Sequence, residues 1–183
     1  MKYSFSARGG EVNVGYDCFD TAPTKLSESH CHEKFEILYI IRGGGKYNIE
    51  GTEYNVAPRT LMLIRPFAYH HLILDELPYE RYVVHFSKNS ISADALRLLE
   101  NMMITEDEDK QDNGNYFSPT LISDPIISVF DRFRISESLP EEERTAYVKT
   151  LISELVILLS AVSGEKMLLN DYDLGASVVR YIM

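Results

Sequence analysis

Residues 35–41, FEILYII, constrain the architecture more than any other stretch of this chain. Successive side chains of an extended strand point to opposite sides, so Glu36, Leu38 and Ile40 share one face while Phe35, Ile37, Tyr39 and Ile41 share the other. Both faces carry large apolar groups, so each needs a covering layer. The rest of residues 11–87 divides into further β-like runs, VNVGYDCF, KYNIEG, EYNVA, TLMLIRP, HHLIL and YERYVVHFS, with turn residues between them. Seven strands in under eighty residues predict an antiparallel sandwich or barrel. In KYNIEG, Tyr47 and Ile49 alternate with Lys46, Asn48 and Glu50, and Gly51-Thr52 is expected to make a tight hairpin connection.

After Ser87 the period changes. Ile91, Ala95, Leu98, Leu99 and Met102 recur at helical spacing. TEDEDKQDNGN, residues 105–115, reads as a solvated loop. Asp124-Pro125 marks a helix start followed by a stripe of Ile126, Ile127, Phe130 and Phe133. A longer helix is predicted from Pro140 to Gly164, with Glu141, Glu142 and Glu143 at the positive end of its dipole. Its second half, LISELVILLSAV, is apolar over more than one stripe. Either a partner subunit or the β-domain with its neighbouring helix supplies the second cover. DLGASVVRYIM reads as the start of a further helix, and the chain is expected to be an excerpt of a longer protein.

The charge excludes one function for these residues alone. With 28 acids against 18 bases, a net charge of -10 and a pI near 4.9, the chain opposes binding to a phosphate backbone. No apolar run approaches the roughly 18 residues of a membrane span, and the N-terminus has no apolar leader, so a cytoplasmic protein without a membrane partner is expected. Cys18 and Cys31 form no CxxC, which fits a reducing compartment.

The polar residues of chemical interest cluster near the first long strand. His30 and His32, two apart, reach one point if the strand begins there, while Cys31 points away. Glu36 has the same parity, and His70 or His71 returns on a later strand. Three imidazoles and a carboxylate make a mixed N/O set suited to Zn, Fe, Mn or Ni. Three readings stay open for the set: effector-binding groups, metal ligands, or an internal hydrogen-bond cluster. Arg42 shares the parity of Glu36 and is expected at the pocket mouth as a further ligand-binding group. His85 reads as structural, and Gly43, Gly44 and Gly45 as a sharp turn with no phosphate-loop role.

The spacing His30-x-His32-x3-Glu36-x6-Gly43 resembles the first motif of the cupin superfamily, and LIRPFAYHHL is similar to a degenerate second motif. Thr24 stands where the family has an upstream glycine, and no asparagine follows the second-motif histidine. Over residues 28–183 the chain resembles the N-terminal sensor domain of AraC-family transcriptional regulators. The residue-level match runs through HCHEKFEILYIIRGGGKYNIEGTEYNVAPRTLMLIRPFAYHHLI and YERYVVHFS.

That resemblance implies an antiparallel cupin jelly-roll barrel for residues 1–88 that binds a small-molecule effector, such as a sugar, with His70 pointing inward. It implies helices over 89–164 that form a homodimer. Residues 165–183 would be a linker into a missing C-terminal helix-turn-helix domain, the sole contact with DNA. Effector binding would act by repacking the N-terminal arm, residues 1–10, or the helices over 124–164. No catalytic role and no cofactor are expected. The alternative is a metal-dependent cupin enzyme, a dioxygenase or isomerase, holding a divalent metal on His30, His32, Glu36 and His70.

Overall fold

The computed structural model describes residues 3–6, 11–103 and 114–180, with side chains over 11–103 and 116–163. Seven strands form one antiparallel sheet: β1 Tyr3–Ser6, β2 Val12–Phe19, β3 Phe35–Ile49, β4 Thr52–Val56, β5 Leu61–Ile64, β6 His70–Phe86 and β7 Gly114–Phe117. Their order is β1-β2-β6-β3-β5-β7, with β4 paired to β3 alone. Around them lie a short helix, α1 Thr24–Ser27, and three longer ones, α2 Ala93–Met103, α3 Asp124–Ser136 and α4 Glu141–Arg180. The fold is the expected mainly antiparallel β unit followed by a helical part.

Two pairs of expected strands are each one long, bent strand. FEILYIIRG and KYNIEG are continuous in β3, and HHLIL and YERYVVHFS in β6. The bend in β3 comes from register shifts between Ile40 and Gly45. The three glycines permit this bend by close approach: a Cβ on Gly45 would lie 2.1 Å from the Ile73 carbonyl oxygen, and one on Gly44 2.5 Å from that of Val56. The hairpin after Ile49 turns on Glu50-Gly51, one residue earlier than expected, because Ile49 pairs directly with Thr52. Both turn residues have positive φ, 51° and 88°, which suits a two-residue connection.

The two faces of β3 enter two separate cores. Phe35, Ile37 and Tyr39 join Val12, Val14, Leu61, Leu63, Val84 and Phe86 in a core closed by the helices. Leu38 and Ile40 join Tyr47, Ile49, Met62, Ile64, Leu72, Tyr79 and Val83 inside the barrel. One stripe of the long helix is covered within the chain, while Ile157 on its second half stays exposed. Val148, Leu151, Ile152, Leu155, Val156 and Leu159 are all fully buried against the helical side of the sheet.

By length and apolar composition alone, the Glu141–Ser163 part of α4 matches a membrane span, contrary to the sequence expectation. Here its apolar stripe packs on the sheet. The expected stop at Gly164 is also absent, and α4 continues to Arg180. Glycine costs a helix about 1 kcal/mol, and without a following proline nothing forces a break. β1 and β7 went unrecognised in the sequence, being four residues each beside polar segments. Residues 104–113 of the acidic segment, residues 1–2 and 7–10 of the N-terminal arm, and residues 181–183 lie outside the described residues.

Candidate functional site

Strands β2 and β6 build one wall by simple alternation. Their register pairs Asn13 with His85, Gly15 with Val83, Asp17 with Arg81 and Phe19 with Tyr79. Asn13, Gly15, Asp17, Phe19, Arg81, Val83 and His85 all line a cavity of about 640 Å³. Glu36, Tyr47 and Leu72 extend the wall from β3 and β6, and Lys25, Leu26, Glu28 and His30 close it from α1 and the loop that follows. The lining is mixed, with Phe19, Leu26, Leu72 and Val83 apolar and the Asp17, Arg81, Glu36 and His85 group polar.

The histidine-bearing loop is stitched to the start of β6 by backbone bonds. His30 N–H donates to the His70 carbonyl at 3.0 Å, His70 N–H returns to the His30 carbonyl at 2.9 Å, and Phe67 N–H donates to the His32 carbonyl at 2.7 Å. This clamp brings residues forty apart in sequence into one cluster.

Glu36 is the hub. Its carboxylate, 4 % exposed, receives His32 Nε2 at 2.7 Å and His85 Nε2 at 3.0 Å, and His70 Nε2 lies 3.5 Å away. Burial pushes its pKa up, but the hydrogen bonds from His32, His70 and His85 outweigh this and hold it well below the usual carboxylate value. His32 moves the other way: its bond to Glu36 raises its pKa against the opposing effect of burial. His32 Nδ1 also faces the Lys34 carbonyl at 2.9 Å. With an acceptor at each ring nitrogen, the charged form of His32 is favoured.

His70 is fixed differently. Its Nδ1–H donates to the Ala68 carbonyl at 2.9 Å, which turns the buried Nε2 toward the Glu36 carboxylate. Tyr47 stacks on its ring at 6.0 Å, and burial with the nearby Glu36 charge raises the Tyr47 hydroxyl pKa well above its normal value.

The structure thus gathers His32, Glu36 and His70 around one carboxylate, sets His30 in the cavity lining beside them, and leaves Arg42 outside. His30 is exposed at the cavity rim, its Nδ1 donating to the Glu28 carbonyl at 3.0 Å and its ring edge-on to His70 at 4.3 Å. Residues 30–34 bend before β3 begins, so strand parity does not carry from His30 to Glu36. Arg42 is exposed and outside the lining, 3.8 Å from Glu80 on the outer surface. The register shift after Ile40 breaks the parity that linked it to Glu36.

Two residues were missed in the sequence. His85, read as structural, pairs with Glu36 in register and bonds its carboxylate. Arg81, two residues before Val83, lines the cavity while Arg42 does not. Inward alternation along YERYVVHFS, with Arg81, Val83 and His85 sharing a face, was the available signal.

The donor set also suits a divalent metal. One ligand atom each from His32, Glu36 and His85 lies within 4.8 Å of the others, and His70 Nε2 is 3.5 Å from the same carboxylate. Backbone carbonyls hold Nδ1 of His32 and His70, leaving Nε2 to face the site, as in imidazole ligands.

Residues 18–103 match the family described as the AraC-like ligand binding domain. No curated protein matches the chain. Among solved structures, a conserved protein of unknown function from Streptococcus pyogenes is 15% identical, covering 48% of this chain and 73% of its own, with a TM-score of 0.42. The Cnp3 cupin domain of Schizosaccharomyces pombe is 10% identical over 47% and 59%, with a TM-score of 0.42. Acireductone dioxygenase from Bacillus anthracis, with a cadmium ion in its active centre, is 20% identical over 41% and 49%, with a TM-score of 0.34.

Proposed function

We propose that this chain, whose residues 18–103 match the AraC-like ligand binding domain, is the effector-sensing part of a DNA-binding transcriptional regulator. In this reading residues 1–88 hold the effector, the helices over 89–164 pass the signal and dimerise, and residues 165–183 lead toward a DNA-binding domain. The observation that carries it is the placement of the cavity. One face of the β2–β6–β3 sheet lines it, and the opposite face of the same strands packs on α2, α3 and α4. Small shifts in strand packing around an effector therefore reach the helices directly.

The effector would be a small polar metabolite with an apolar side, of which a sugar is one class. Polar groups at Asp17, Arg81, Glu36 and His85 fix orientation, while Phe19, Leu26 and Val83 take apolar surface. A ligand moves the helices only by as much as it prefers one arrangement over the other.

Equilibrium dialysis of the chain against a cell metabolite extract, read by mass spectrometry, tests this. A compound retained by the native chain and lost in Val83→Phe, which fills the cavity, is the expected result. Retention of nothing would end the sensor reading.

A second reading is favoured by the His32, Glu36 and His85 donor set: a metal-dependent cupin enzyme. Those three residues with His70 would hold a divalent ion, which would supply Lewis-acid polarisation of a bound oxygen. Elemental analysis of the purified chain, with its melting temperature before and after chelation, decides it. A metal-free chain with unchanged melting removes the enzyme.

A further inference from the structure

One strong donor group in the cavity lining keeps hydrogen-bonding capacity to spend. Arg81 is nine-tenths buried and lines the cavity, and its Nε–H donates to Asp17 Oδ2 at 3.2 Å. The guanidinium lies over the Tyr79 ring, 5.9 Å from the centroid, which fixes its plane. Its terminal nitrogens carry four N–H donors into a low-dielectric space, where unpaired donors are costly. A planar two-oxygen acceptor is the group that satisfies such a fork best.

The acceptor that lines the same cavity is the Glu36 carboxylate. It already receives His32 Nε2 at 2.7 Å and His85 Nε2 at 3.0 Å, so an uncharged hydroxyl suffices there.

Resting on the sensor reading above, we propose that the cavity takes a hydroxy acid: its carboxylate lies on the terminal nitrogens of Arg81, and one of its hydroxyls donates to Glu36. Nearby Asp17 orients the guanidinium. The apolar wall of Phe19, Leu26, Leu72 and Val83 accepts the carbon skeleton.

Calorimetric titration of the full chain with D-gluconate, D-glucitol and D-glucamine isolates the end group, since the three share one carbon skeleton. D-glucuronate against D-glucose repeats the comparison in ring form. The expected result is an acid that binds about tenfold or more tightly than its uncharged counterpart, as a charge-assisted bidentate pair gives. That margin should vanish in Arg81→Gln. The double variant Arg81→Gln with Asp17→Asn keeps the test open if the single change, by stranding Asp17, unfolds the chain.

Equal binding of glucitol or glucamine, a margin that survives both variants, or binding of no member of either series would overturn the proposal. The dialysis experiment separates this failure from that of the sensor reading. A retained compound without a carboxyl group removes the hydroxy acid alone, and no retained compound removes both.

Discussion

At the scale of the residue, Glu36 and His32 tie stability to pH in opposite senses. Glu36, whose folded pKa is lowered from 4.5, contributes stability above that value and loses it as pH falls through the folded pKa. His32, whose folded pKa is raised from 6.5, contributes fully below that value and loses it as pH rises through the folded pKa. Both contributions are complete between 4.5 and 6.5. Urea unfolding of the native chain and Glu36→Gln should therefore differ most in that window and converge on either side. A difference independent of pH would show that the carboxylate and imidazolium are not coupled. The same pair explains how a carboxylate stays buried: with His85 it has two well-aligned donors, and removing it leaves the His32 charge unmatched.

At the scale of the element, the glycines of β3 are what let one strand serve three partners. β3 pairs with β6 along nearly its whole length, with β5 through residues 36–39, and with β4 through residues 45–49. Its change of partner falls at Gly43, Gly44 and Gly45, where β4 and β6 backbones come too close for a side chain. Gly45→Ala would meet the Ile73 carbonyl oxygen, a backbone atom that cannot swing away, so β3 and β6 must part locally. The expected cost is about 2–4 kcal/mol in urea unfolding, or failure to fold. Gly51→Ala is the control: nothing lies near its Cβ, and its positive φ alone costs about 1 kcal/mol. Equal losses at both positions would mean that steric approach does not set the bend.

At the scale of the whole molecule, the sheet separates a polar cavity from a helical layer, and several bonds tie the layers. The Arg59 guanidinium donates to the Ile122 carbonyl just before α3, and Lys149 on α4 pairs with Glu11 before β2 at 2.7 Å. Ser92 N–H donates to Ser153 Oγ at 3.0 Å between the start of α2 and α4. Because α4 buries its apolar stripe within the chain, self-association has to use what remains outward, such as Ile135 and Ile157, 60% and 46% exposed. Light scattering over a concentration series tests the dimer: mass doubling that Ile157→Lys abolishes is the expected outcome. A monomer at high concentration would remove dimerisation from the proposal.

Much of this was legible in the chain itself. Alternation along FEILYII required two covering layers, and the structure supplies a barrel interior on one side and helices on the other. Local periodicity also located α2, α3 and the start of α4, since each buries one stripe. What local pattern could not carry was anything that depends on register or on a bend. Arg42 lost its expected place, and His30 reaches the cavity from a loop and not from the strand, because the chain kinks before β3 and shifts register within it, and parity survives neither event. His85 and Arg81 gained theirs because β6 sets them opposite Glu36 and Asp17 in space, a pairing made by the backbone hydrogen bonds of strands far apart in sequence. The sequence determined which strands were two-sided and which residue types were available for a site, because these follow from side-chain alternation and composition. Only the tertiary structure decided which of those residues share the cavity, because that depends on long-range strand register.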